Sequence, residues 1–137
     1  MEIKCLALEN IYDAHKIGIE QYGGSLEHYP TTESKLESIL SQQFGYFGHD
    51  EYPNIYDKSA MLLYFLTKGH CFVDGNKRVG LGAMLYMFAI NEYEDISEED
   101  DWYELTYEVA SSEYRQDDIK KFIKWIGELL RTKFIKG

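Results

Sequence analysis

Residues 69–78 read GHCFVDGNKR, which puts a histidine, an aspartate, an asparagine, a lysine and an arginine between His70 and Arg78. These are residue types that move phosphate. Histidine titrates near neutrality, so His70 can take a proton from a hydroxyl at working pH. The Asp74 carboxylate suits a hard cation such as Mg²⁺, which is held by one or two carboxylates and completes its shell with phosphate oxygens and water. Gly75 and Asn76 open the next expected helix, whose first N–H groups, from Gly75 to Arg78, lack intrahelical acceptors and form a natural anion site. Gly75 lets a ligand approach the backbone with no Cβ in the way. Lys77 adds a point charge and Arg78 a planar fork suited to phosphate oxygens. Phe72 is the peg expected to drive the loop into the core. A phosphate cradle, a metal carboxylate and a base together are the parts of phosphoryl or nucleotidyl transfer.

Two apolar segments must hold this stretch. Residues 54–69 are apolar nearly all round over 60–66, and residues 76–91 are so after the first three, which predicts two central, buried helices. Gly80 and Gly82 cost helix propensity and make sense where another backbone or a ligand comes close. Leu6, Leu8, Ile11, Ile17 or Ile19, and Tyr22 predict a first amphipathic helix ended by Gly23-Gly24. A second begins at Thr31 or Thr32, with Leu36, Ile39, Leu40 and Phe44 on one face. Residues 45–53 read as a loop or short hairpin. Ser97 stands three residues ahead of Asp100, similar to a capping box, before a helix with Trp102, Leu105, Tyr107 and Val109 as its apolar residues. The last helix carries Ile119, Phe122, Ile123, Ile126, Leu129, Leu130 and Phe134. The expectation is one all-α domain over residues 1–137, of about six helices.

Composition narrows the function. The 137 residues carry a net charge of −10, which argues against general nucleic-acid binding. Lys68, Lys77 and Arg78 enrich the basic charge locally at the opening stretch. Two cysteines are too few for a disulfide framework and read as free thiols in a reducing cytosol. No basic-then-apolar leader is visible after Met1, and the apolar run from Leu81 to Ile90 is far short of a membrane span, so a cytoplasmic protein is expected.

Other motifs fail on spacing. A Walker A loop needs G-x-x-x-x-G-K-[ST], but Gly69 and Gly75 are one residue too far apart and Asn76 precedes Lys77. In an EF-hand the glycine would come later than it does in DGNK. There is no H-E-x-x-H and no C-x-x-C, so zinc is not expected.

HCFVDGNKR resembles the signature of the Fic/Doc family, whose core reads H-x-F-x-[DE]-G-N, followed in the larger Fic branch by G-R-x-x-R. The matching residues are His70, Phe72, Asp74, Gly75, Asn76 and Arg78. Lys77 stands where Fic-type adenylyltransferases have glycine, and Leu81 where they have a second arginine. N-K-R is what the Doc (death-on-curing) branch shows. Val79-Gly80 replaces the small polar-then-Ala pair of Doc-like chains, a change expected to loosen the start of the helix. The likeness runs from YGGSLEHYP through AINEYE, with a plausible terminal helix.

The resemblance implies an all-α fold, ATP with Mg²⁺, and modification of a hydroxyl on a target protein. By position it makes His70 the base, Asp74 the metal ligand, and Gly75, Asn76, Lys77 and Arg78 the phosphate cradle. Fic-type adenylyltransferases put the α-phosphate of the nucleotide at the point of attack. Doc members bind the nucleotide reversed and transfer the γ-phosphate to a threonine of translation elongation factor Tu. Lysine for glycine fills space a diphosphate tail would cross, and leucine for arginine removes a partner for its charge, so both changes disfavour the adenylylating pose. A degenerate, purely binding member is the third reading. The inhibitory motif [ST]-x-x-x-E-[GN] of many members is missing, since the one matching glutamate, Glu9, follows Cys5 at the required spacing. A separate antitoxin is therefore implied, which in Doc members folds into a groove on binding.

Plainer roles stand beside these. Asp74 can simply cap the following helix, and Lys77 and Arg78 can be solvated charges. His15, His28 and His49 read as structural or surface residues. Related proteins use a flap near residues 45–50 to hold the target chain by strand addition. The acidic run from Glu92 to Asp101 reads as a solvated helix start.

Overall fold

Apolar surface on every side forces a helix inward, and residues 54–69 obey that rule. The computed structural model describes residues 2–137. Its helices are α1 (Leu8–Tyr22), α2 (Thr32–Ser41), α3 (Ile55–Lys68), α4 (Asn76–Ile90), α5 (Asp101–Ser111) and α6 (Gln116–Arg131). The fold is helical, as the patterning predicts. None of the helices among the described residues is long and apolar enough to cross a membrane.

Helix α3 begins where Asn54 accepts the Asp57 N–H at 2.9 Å. It ends at Gly69, whose N–H reaches the Phe65 carbonyl at 2.8 Å. Between them every residue from Ala60 to Tyr64 is buried, and so is Leu66. Helix α4 packs along it but departs from the expectation of burial all round. Val79, Ala83, Met84, Met87 and Phe88 are buried, while Tyr86 is 47% exposed and Leu81 and Leu85 are only partly covered. That flank faces α1 across an open apolar groove of about 570 Å³.

Gly80 explains how closely α3 and α4 approach. A Cβ at Gly80 would run into the Thr67 hydroxyl and stand 3.1 Å from the Leu63 carbonyl oxygen. Val79-Gly80 therefore does not loosen the helix start. Both residues are buried, and α4 runs unbroken from Asn76 to Ile90.

Several expectations are corrected at the ends of elements. In α1 it is Ile19 that is buried, beside Ile11, while Ile17 and Tyr22 are exposed. Phe44 lies beyond the end of α2 and is 58% exposed, so it leaves the face shared by Leu36, Ile39 and Leu40. Phe134 is not on α6. The chain leaves the helix at Thr132, and Phe134 begins a strand, β2 (Phe134–Lys136), paired antiparallel with β1 (Tyr93–Asp95). Phe134 stacks on Phe88 at 3.7 Å between ring centroids, so core burial outweighs helix continuation there. Helix α5 buries Leu105 and Val109 but leaves Tyr107 exposed. The Ser97–Asp100 box does not form, because the Ser97 N–H is taken by Asp95 Oδ1 at 2.8 Å and Asp101 accepts from the Glu98 N–H at 2.7 Å.

Gly80→Ala is expected to destabilise the fold by about 1–3 kcal/mol, although alanine is the better helix former. Urea unfolding of Gly80→Ala beside Gly80→Ala/Thr67→Ala reads this out, with partial recovery in the double variant. An unchanged midpoint in the single variant would show that α3 and α4 can move apart freely.

Candidate active site

The loop between α3 and α4 is held from below by aromatic rings. Phe72 is 1% exposed. Its ring stacks on His15 at 3.9 Å between centroids with planes 8° apart, and meets His28 and Tyr12 edge-on at 5.2 and 6.1 Å. His28 in turn stacks on Tyr12 at 5.1 Å, and its backbone bridges that of Phe72. The peg expected at Phe72 is therefore present, and Tyr12 and His15 of α1, with His28 beyond it, supply its socket.

The main chain of Phe72 is clasped as tightly as its ring. Asn76 Oδ1 accepts the Phe72 N–H at 3.1 Å, and Asn76 Nδ2 donates to the Phe72 carbonyl at 2.9 Å. Thr32 sits next to this clasp, accepting the Tyr29 N–H at 2.9 Å and donating to the Cys71 carbonyl. Neither Thr31 nor Thr32 caps α2 with its side chain in the way their types suggest, since Thr32 is committed to these two bonds. The Cys71 thiol is pushed up by burial, which leaves it a packing group rather than a nucleophile.

Above this floor lies a cleft of about 510 Å³, lined by all six residues singled out in the sequence, His70, Asp74, Gly75, Asn76, Lys77 and Arg78. His70 is exposed and has φ 49°. A left-handed backbone at a residue with a Cβ costs about 1–2 kcal/mol, so the loop holds His70 against a local preference. Gly75 has φ 80° and is the N-cap of α4, a conformation for which glycine is the natural residue. The first turn of α4 leaves the N–H groups of Asn76, Lys77 and Arg78 without acceptors among the described residues.

Asp74 faces the cleft rim with its carboxylate tethered at both ends. Oδ1 accepts the Gly75 N–H at 2.9 Å and Oδ2 accepts the Ser25 N–H at 3.2 Å. Gly24 is the other side of this fit, because a Cβ there would stand 2.5 Å from Asp74 Oδ2. Among the described residues no group of three or more His, Cys, Asp or Glu side chains is placed to cage a metal. One carboxylate at the mouth of an anion cradle does fit Mg²⁺, which takes its remaining ligands from phosphates and water.

Three basic groups are placed differently from one another. Lys77 is exposed at the cleft. Arg78 turns toward α1, with Nη1 donating to the Gly23 carbonyl at 3.3 Å and its guanidinium 4.7 Å above the Tyr22 ring. Lys68 donates to the carbonyls of Ala110 and Ser112 at the end of α5, where a cation is favoured, so its charge supports a wall of the cleft. The amide of Asn76 is likewise taken up by Phe72, and what Asn76 turns to the cleft is its main-chain N–H.

Sequence reasoning missed the socket. His15 is 2% exposed, and its Nε2 lies 3.0 Å from the Asp74 carbonyl oxygen. Burial pushes its pKa below the usual histidine value, opposed by the bond to Asp74. The available signal was spacing, for Ile11, His15 and Ile19 fall at i, i+4 and i+8 and form the buried stripe of α1.

Residues 45–53 form a minimal hairpin. Tyr46 and His49 exchange N–H···O bonds of 2.7 and 2.8 Å around Phe47 and Gly48, whose φ values are 49° and 78°. Phe47 at the tip is wholly exposed, and Phe44 and Tyr46 are exposed beside it. Lys58 roots the hairpin, donating to the Gln43 carbonyl at 2.6 Å and to Asp50 at 2.8 Å. His49 is a surface residue 3.2 Å from Glu51.

Residues 5–88 match the Fic/DOC family. The match takes in α1 to α3, the whole cleft loop and α4 as far as Phe88. A protein named toxin Doc from Mycolicibacterium smegmatis is 39% identical over 54 residues, which is 39% of this chain and 42% of that protein. The aligned stretch thus spans less than half of either chain.

Asn76→Ala leaves both main-chain groups of Phe72 without partners and is expected to cost about 1–3 kcal/mol in urea unfolding. Asn76→Asp should cost a similar amount, because a carboxylate cannot donate to the Phe72 carbonyl. Wild-type stability in both variants would show that water replaces the amide without loss.

Proposed function

The chain belongs to the Fic/DOC family and falls with its Doc branch, and from that premise we propose that it is a Doc-like toxin that transfers the γ-phosphate of Mg²⁺-bound ATP to a hydroxyl of a target protein. The observation that carries the reading is the single cleft in which His70, Asp74 and the free N–H groups of α4 meet. Elongation factor Tu is the target the family likeness suggests, and modifying it would block translation in the cytoplasm.

Each group has one role in this reading. His70 takes the proton from the attacking hydroxyl. The hydroxyl oxygen forms the new bond to phosphorus as the bond to the β-phosphate oxygen breaks, and ADP leaves. The N–H groups of Asn76, Lys77 and Arg78, with the Lys77 ammonium, hold the phosphate charge. Asp74 would hold Mg²⁺, which supplies charge neutralisation between carboxylate and phosphates. Lys77 occupies the cleft where adenylylating relatives carry glycine, and Leu81 turns into the groove beside α1. In this reading the two residue changes disfavour the adenylylating pose, and so leave the γ-phosphate as the group transferred.

The hairpin tipped by Phe47 is suited to gripping the target chain. The groove between α1 and α4 offers Ile17, Leu81, Leu85 and Tyr86 to a partner, and Arg78 lines both groove and cleft. It is the seat this reading gives a separate antitoxin.

Labelled-ATP transfer tests the proposal. The purified chain with Mg²⁺ and a bacterial lysate is expected to label a protein from γ-phosphate and not from α-phosphate, and His70→Ala should lower the yield by at least about 100-fold. Label from α-phosphate would make it an adenylyltransferase. No transfer with either label, with elongation factor Tu present, would favour a binding module.

A further inference from the structure

His15 lies in the middle of α1, far from His70 in sequence and beneath the cleft rather than in it. Two independent contacts tie it to the loop. Its ring lies flat on Phe72, and its Nε2 is 3.0 Å from the carbonyl oxygen of Asp74. A carbonyl only accepts, so this contact requires the Nε2–H form of the ring. Gly75 rests on the same surface, since a Cβ there would stand 3.6 Å from His15 Cδ2 and 3.2 Å from Ile19 Cδ1. His15 and Ile19, one turn apart on α1, are therefore the floor under the Asp74–Gly75 turn.

The geometry of the peptide bond turns this floor into a pointing device. In a trans peptide the C=O and the following N–H point in opposite directions. Drawing the Asp74 carbonyl to His15 turns the Gly75 N–H the opposite way, where it meets Asp74 Oδ1 at 2.9 Å. One hydrogen bond thus sets the plane of the peptide that joins the carboxylate to the start of the anion cradle. No other side chain among the described residues is bonded to that carbonyl.

We propose that His15 is a positioning residue for nucleotide binding: by holding the Asp74 carbonyl it aims the Asp74 carboxylate and the α4 N-terminus at the phosphates. The assignment rests on the function proposed above and adds a residue outside the cleft to it. His15 touches neither substrate nor metal in this scheme. Its ring contact with Phe72 supports the fold, while its Nε2–H bond orients the site.

Two variants separate those contributions. His15→Phe keeps a flat ring on Phe72 and removes the donor, and His15→Gln returns a donor at similar reach. Mg²⁺-ATP binding by calorimetry is the first readout, with thermal unfolding alongside. The expected result is binding about tenfold weaker in His15→Phe, with recovery of most of the loss in His15→Gln. The transfer assay should show the same loss mainly in KM for Mg²⁺-ATP. A folded His15→Phe that binds as tightly as wild type would overturn the assignment.

A measurement on the unaltered chain covers the case in which His15→Phe does not fold. Ring ¹⁵N shifts of His15 report the tautomer directly, and Nε2–H supports the proposal while Nδ1–H overturns it. Wild-type chain that binds no Mg²⁺-ATP would instead remove the function on which the assignment rests, a result separable from equal binding by wild type and variant.

Discussion

Almost everything about the cleft follows from burying one phenylalanine in a loop. A connection between two central helices would ordinarily stay at the surface, because its backbone groups need water. Here the Phe72 ring is driven inward and its N–H and C=O are satisfied by the Asn76 amide. Full burial of such a side chain supplies about 1.5–3 kcal/mol. The residues on either side then have no choice of direction. His70 is forced into a left-handed backbone at one end, and Asp74 and Gly75 are pressed on α1 at the other. The polar groups stand together at the surface because the apolar one between them is sunk.

That constraint also explains why the surrounding elements carry the residues they do. Gly24 gives way to the Asp74 carboxylate, Gly80 lets α4 meet α3, and Thr32 ties α2 to Cys71. Lys68 draws the end of α5 to the cleft wall. The chain as a whole is strongly acidic, yet the proposed anion cradle is built mainly from backbone N–H groups. Such groups carry partial charge fixed in direction, so a cradle of this kind would act locally whatever the net charge.

The helical class, the two central helices and the residues of the cleft were legible in the sequence because they rest on local rules. Apolar runs, a glycine at a helix start and a compact polar motif each declare themselves within one window. What was not legible depends on distant partners. His15 looks like any polar residue in an amphipathic helix until Phe72 and Asp74 are brought to it across the fold. Phe134 continues the helical period of α6 but answers to Phe88 and Trp102, whose rings it stacks on. Leu81 and Leu85 share the apolar character of their neighbours, and only the position of α1 decides that they line a groove rather than a core. Arg78 keeps its place beside the cleft, although its fork is drawn to Gly23 and Tyr22.

Three side-chain amides play one part at different places. Asn76 pairs with both main-chain groups of Phe72, Gln43 with both of Leu6, and Asn91 with both of Lys4. Each amide stands in for a strand, offering one donor and one acceptor to a segment that has no sheet to join. The consequence lies in chemical ageing. Hydrolysis of any of the three amides would leave a carboxylate, and an oxygen would then face the carbonyl that the lost NH₂ had served. At Gln43 or Asn91 a single released ammonia would open a seam between segments far apart in the chain, and at Asn76 it would loosen the cleft loop itself. Loss of any of these three amides is thus a chemical change that the fold would register as a broken main-chain pairing.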